Sequence, residues 1–194
     1  MLAMLVDSEY IKAQEAEGMT FDALLEPSIL AHNAVIKDLP SDLTVAMHLC
    51  RGNLPKGDLA AVGGYDQMAR RLFSEMHYKR FALEYDSDIT GTFSPLQHLP
   101  ADKVVVLGLV TTKDSELEDV NTLKNQVFEA ADIIAKGQGR SREEVLRDNL
   151  AVSPSCGFSS VAPIVGTGMN EEVQWQKLEL VKKLATVVWG TPEI

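Results

Sequence analysis

Four side chains in this sequence are of types that hold transition metals. His48-Leu49-Cys50 ends a short apolar run, and residues two apart on a strand point to the same side. An imidazole and a thiolate would then face one point, a donor pair suited to Zn²⁺. Glu84 interrupts the apolar run Phe81-Ala82-Leu83, so a carboxylate stands where burial is costly without a partner. Cys156 follows a further apolar run in Ser153-Pro154-Ser155-Cys156-Gly157, beside a glycine that permits close backbone approach. Each residue has a plainer use: a lone cysteine as a small buried hydrophobe, a histidine as a satisfied core residue. With 2 cysteines in the chain, a disulfide is also open, although free thiols or metal ligands are commoner in a cytosolic protein.

The elements that must position these residues follow from periodicity. Residues 2–6, 43–50, 81–85, 103–110 and 150–153 read as strands. KVVVLGLV (Lys103 to Val110) is the clearest, its continuous apolar run expected to be buried on both faces. Helices are expected over 20–37, with Pro27 as an early kink or start, over 64–79, and over 171–189. Ser115 with Glu118 and Ser141 with Glu144 have capping-box spacing, opening helices to about Ile134 and Asn149. Such β-α alternation predicts about five parallel strands with helices outside them. All four candidate ligands then fall at strand ends, where parallel α/β folds collect functional residues. No Gly-rich phosphate loop follows the first strand, and Gly63-Gly64 reads as a turn and cap.

The segments VAMHLCRGN (Val45 to Asn53), FALEYD (Phe81 to Asp86), LGLVTTK (Leu107 to Lys113) and LAVSPSCGF (Leu150 to Phe158) come in a familiar order. They resemble the C-terminal catalytic domain of cobalamin-independent methionine synthase. The nearest likeness is to its shorter, methyltetrahydropteroyltriglutamate–homocysteine methyltransferase-like relatives, and it covers nearly the whole chain. The resemblance implies a (β/α)8 barrel with zinc held by His48, Cys50, Glu84 and Cys156. It implies transfer of a methyl group from a methyl-tetrahydrofolate to a thiol such as homocysteine, activated by zinc as a thiolate. Glu84, the hardest ligand, is the natural one to yield when substrate sulfur arrives.

Besides its length, the sequence departs from the family at two positions. Asp7 stands where the family carries an Asp that binds the homocysteine amino group, but in a changed context; a strand-end turn or helix cap is the alternative. Lys113 stands near the family's proton-relaying His. It would orient an anionic substrate, or donate a proton if its pKa is depressed; a solvated loop lysine is the alternative. Arg51 and Asn53 would hold a substrate carboxylate or fix their loop, with a surface ion pair as the commoner use of Arg. Related zinc-thiolate alkyl transfer with another donor or thiol, or a catalytically idle subunit, are competing readings.

At 194 residues the chain accounts for one domain, 1–194. A complete (β/α)8 barrel needs about 250 residues, so at this length the resemblance implies the C-terminal half of the barrel. Open edges then call for a second copy, a complementing N-terminal half-barrel chain, or mark a truncated product. A hydrophobic fraction of 45% and a charged fraction of 24% describe an ordinary globular chain. The formal charge of -10 argues against nucleic acid, since nothing neutralises phosphates. No run approaches the ~18 apolar residues of a membrane span. The cytoplasm is the expected location.

Overall fold

A computed structural model of the chain describes residues 2–54, 58–158 and 168–191. In chain order the elements are α1 (Ser8–Ala16), α2 (Phe21–Ile36), β1 (Ala46–Leu49), α3 (Ala69–Glu75), β2 (Arg80–Glu84), β3 (Val104–Val110), α4 (Val120–Gln138), α5 (Arg142–Asp148), β4 (Leu150–Pro154) and α6 (Glu171–Trp189). Among the described residues the sheet has four strands, in the order β1-β2-β3-β4, with every neighbour pair parallel. A doubly wound sheet would reverse its direction of growth once. This sheet never does, so it grows like the wall of a barrel and is open at both ends.

Register sets which residues share a face. His48 pairs with Ala82, Ala82 with Val106, and Val106 with Ala151. The alternate row holds Leu49, Leu83, Leu107 and Val152. Phe81, Leu83, Val105 and Leu107 are fully buried within a core that includes Leu72 and Phe73 of α3 and Val127, Ala131 and Ile134 of α4. On the opposite face His48 is exposed, and Ala82, Val106 and Ala151 are half-buried. Cys50 and Glu84, two residues beyond His48 and Ala82, continue that row, Cys50 half-buried and Glu84 fully buried.

Several expectations need correction. Residues Leu2–Val6 form a 3-10 helix, not a strand. Its buried residues Leu2, Leu5 and Val6 have helical spacing, and Asp7 caps α1 immediately after it. Among the described residues the sheet therefore has four strands rather than about five. β3 is buried in full on one face only, since Val104 and Val106 are half-buried. Pro27 lies inside α2, which begins six residues earlier behind the Thr20 cap. α3 is much shorter than 64–79. The capping box at Ser141 and Glu144 forms in full, but the one at Ser115 and Glu118 does not. Asp119 caps α4 instead, and the Glu118 carboxylate accepts from the Thr111 N–H at 2.6 Å. No helix of the described residues is long and apolar enough to cross a membrane.

Candidate metal centre

At the carboxyl end of the sheet, the donor atoms of His48, Cys50 and Cys156 lie within 4.8 Å of one another. The two sulfurs are 3.8 Å apart, with the Cys156 thiol donating to Cys50. Two sulfurs bound to one tetrahedral zinc at about 2.3 Å would lie about 3.8 Å apart, so the donor set fits zinc in kind and in spacing. The same closeness disturbs proton affinity. Hydrogen bonds from Cys156 and with His48 hold the Cys50 thiol far below its ordinary range. The bond to Cys50 raises Cys156 and, first among its causes, raises His48.

How the chain brings these residues together was only partly visible in the sequence. His48 and Cys50 share a strand end, but Cys156 belongs to the far edge of the sheet. It reaches inward through Gly108, where the β3–β4 register shifts. A Cβ at Gly108 would meet the Ser155 Cα at 2.8 Å and the Leu83 carbonyl oxygen at 3.0 Å. The backbone that carries Cys156 thus lies against a position that only glycine leaves free. A glycine inside an apolar strand run was the available signal. Asn53 then ties the two cysteine loops, donating to the Gly157 carbonyl at 2.9 Å, and Thr112 donates its N–H to the Ser155 hydroxyl at 3.3 Å.

Glu84 is fully buried next to this cluster but outside its three-donor group. One carboxylate oxygen accepts from the Arg51 N–H at 2.8 Å. The other is ion-paired with the Lys113 ammonium. Lys113 also pairs with Asp86 Oδ2 at 2.7 Å. Asp86, missed at the level of sequence, is itself buried and its Oδ1 has no hydrogen-bond partner.

Lys113 is therefore not a solvated loop lysine. Burial works to lower its pKa, but Asp86 and Glu84 together outweigh burial and raise it, opposite to the shift that proton donation near neutral pH requires.

Arg51 is buried, not part of a surface ion pair. Its Nε and Nη2 donate to the Gly63 carbonyl at 3.1 and 2.5 Å. Nη1 donates to the Tyr65 hydroxyl and, at 3.2 Å, to the Glu84 carbonyl. Nη2 also donates to the Thr90 carbonyl at 3.1 Å. These contacts use all five guanidinium N–H groups, which places Arg51 in the scaffold, with no donor left for a substrate carboxylate. Tyr65, another residue missed in the sequence, donates to the Leu49 carbonyl at 2.8 Å and accepts from the Glu84 N–H at 2.9 Å. It bridges the ends of β1 and β2. Asp7 takes the cap role: Oδ1 accepts from the Glu9 and Tyr10 N–H groups, and Oδ2 from that of Val62.

Comparison with known proteins adds to this geometry. The sequence matches no family model. It is 37% identical over 188 residues to the uncharacterized protein YxjG of Bacillus subtilis (strain 168), covering 96% of this chain and 46% of that protein. It is 36% identical over 182 residues to YxjH of the same organism, covering 93% of this chain and 44% of that protein. The chain spans about half the length of these curated relatives. A crystal structure from Listeria monocytogenes, provisionally named a vitamin-B12 independent methionine synthase, is 30% identical with a TM-score of 0.55, covering 82% of this chain and 39% of that one. A B12-independent methionine synthase from Shewanella sp. W3-18-1, in complex with selenomethionine, superposes with a TM-score of 0.61 over 86% of this chain and 44% of that one. At 17% identity that second likeness speaks for the fold alone. The fold is half of a (β/α)8 barrel. Methionine synthases of the B12-independent kind are its structural neighbours, and the strand-end position of the three donors agrees with where such barrels place their chemistry.

Proposed function

We propose that this chain is the zinc-bearing half of a methyltransferase that moves a methyl group from a methyl-tetrahydrofolate to a thiol such as homocysteine. The observation that carries this reading is the 3.8 Å separation of Cys50 and Cys156 within a donor group completed by His48. Those three residues would hold zinc, with the neighbouring Glu84 as fourth ligand. Bound zinc would supply a Lewis acid that lets an incoming thiol react as its thiolate near neutral pH. The chain's own residues prepare that position. Gly108 and Asn53 hold the Cys156 loop over the sheet end. Arg51 and Tyr65 fix the backbone of Glu84. The acidic pair Glu84 and Asp86 keeps Lys113 charged.

The half-covered face that carries His48, Ala82 and Val106 calls for a partner, which we take to be a complementing half-barrel or a second copy. Such thiols persist in a reducing compartment, so we place the protein in the cytoplasm. Lys113, in place of the histidine expected near the folate, supports a second reading in which the same thiol chemistry serves a different methyl donor. The test is turnover by the purified protein, alone and with its completing partner, of homocysteine with methyl-folate and with other methyl donors. Methionine formed only with other donors would favour the second reading. A protein that neither contains zinc nor takes it up would end both.

A further inference from the structure

The Glu84 carboxylate has two competing claims on it. It stands beside the His48, Cys50 and Cys156 donors, yet one of its oxygens is ion-paired with Lys113. Lys113 is mostly buried, its side chain 13% exposed. A buried ammonium stripped of its partner is strongly destabilising, so Lys113 cannot simply release Glu84. Asp86 removes that obstacle. Its Oδ2 already pairs with Lys113 at 2.7 Å, its side chain is 2% exposed, and its Oδ1 is an unused buried acceptor. Lys113 can therefore give up Glu84 and remain neutralised, with spare acceptor capacity beside it.

We propose that Lys113 is a positioning residue that competes with the bound metal for Glu84, and that Asp86 holds Lys113 whenever Glu84 turns to the metal. The inference rests on the zinc reading above. It makes Glu84 a detachable ligand. When a substrate sulfur takes its place, the carboxylate returns to a waiting ammonium rather than to an apolar wall. The incoming sulfur would bind as its thiolate, its proton leaving to solvent; within the chain only the metal–oxygen contact and the Glu84–Lys113 ion pair would be exchanged.

The experiment measures Zn²⁺ affinity of the purified chain by competition with a chromophoric chelator at fixed pH. The proteins are wild type, Lys113→Gln, Asp86→Asn, Glu84→Gln, and the doubles of the first two variants with Glu84→Gln. Lys113→Gln is expected to bind zinc about tenfold tighter, and Asp86→Asn more weakly, because Lys113 then leans wholly on Glu84; a tenfold change is about 1.4 kcal/mol. A general field effect of the removed charges would act on the metal whether or not Glu84 is present. Under the proposal, both effects fall to within about twofold in the Glu84→Gln background, as a double-mutant cycle requires of coupled residues. Equal effects in both backgrounds, or no effect of either variant, overturn the proposal while leaving zinc binding intact. A wild-type chain that binds no zinc overturns the proposal and the zinc reading together. Should Lys113→Gln fail to fold, Asp86→Asn with its double gives the same cycle.

Discussion

Cys50 and Arg51 are adjacent in the chain and opposite in role. Cys50 is half-buried, faces two other donors across the end of the sheet, and has its proton affinity reshaped by both. Arg51 is wholly buried, and its five N–H groups meet carbonyls and one hydroxyl of the surrounding loops. One residue presents unused coordinating capacity; the other has none left. The difference teaches that charge and conspicuous position do not mark a site. What marks it is the capacity that remains once local partners are counted.

The comparison breaks first at the metal. Cys50→Ser or Cys156→Ser should reduce zinc content from near stoichiometric to near zero while leaving the melting temperature of the zinc-free protein little changed. Metal analysis paired with thermal melts in chelator reads both. Zinc retained in either variant would place the metal elsewhere. Arg51→Met should do the reverse and cost about 3–5 kcal/mol in urea unfolding, the range for breaking a buried charged network. A loss below about 1 kcal/mol would show that Arg51 is not the keystone its contacts describe.

Gly108→Ala joins the two regions. The added methyl would press on the Ser155 backbone, costing about 1–3 kcal/mol as overpacking does. It should also weaken zinc binding by displacing Cys156, whereas a purely structural glycine would change stability alone.

Asp7→Ala should have the smallest effect, about 1 kcal/mol for a lost cap, with zinc affinity unchanged. The Val62 N–H, then that of Tyr10, holds the Asp7 carboxyl below its usual 3.8. A carboxylate so depressed contributes stability that is complete above the unfolded pKa and lost as pH falls through the folded one. The gap between wild type and Asp7→Ala should therefore close as the pH drops below 3.8. A gap that persists undiminished in acid would argue against the carboxylate as its source.

The sequence alone determined the strands that carry the site, because Val, Leu and Phe runs of strand length bounded by turns leave few alternatives. It determined that His48 and Cys50 share a side, which follows from the two-residue repeat of a strand. It also fixed the Ser141 and Glu144 capping box, a contact between residues three apart. Where several signals competed locally, it misled. Leu2, Leu5 and Val6 read as a strand by composition and as a helix by spacing, and a cap at Asp7 decided for the helix. Glu118 had capping spacing but was drawn away to Thr111.

Only the tertiary structure decided the rest. Cys156 joins Cys50 because the two strands between theirs keep one direction of growth and Gly108 lets the last loop turn inward. Arg51 became scaffold rather than site because four acceptors, scattered from Gly63 to Thr90, converge on its five N–H groups. Lys113 met Glu84 and Asp86 because the loops after neighbouring parallel strands end at the same level. These are contacts between residues far apart in the chain, set by register and packing, and no local pattern encodes them.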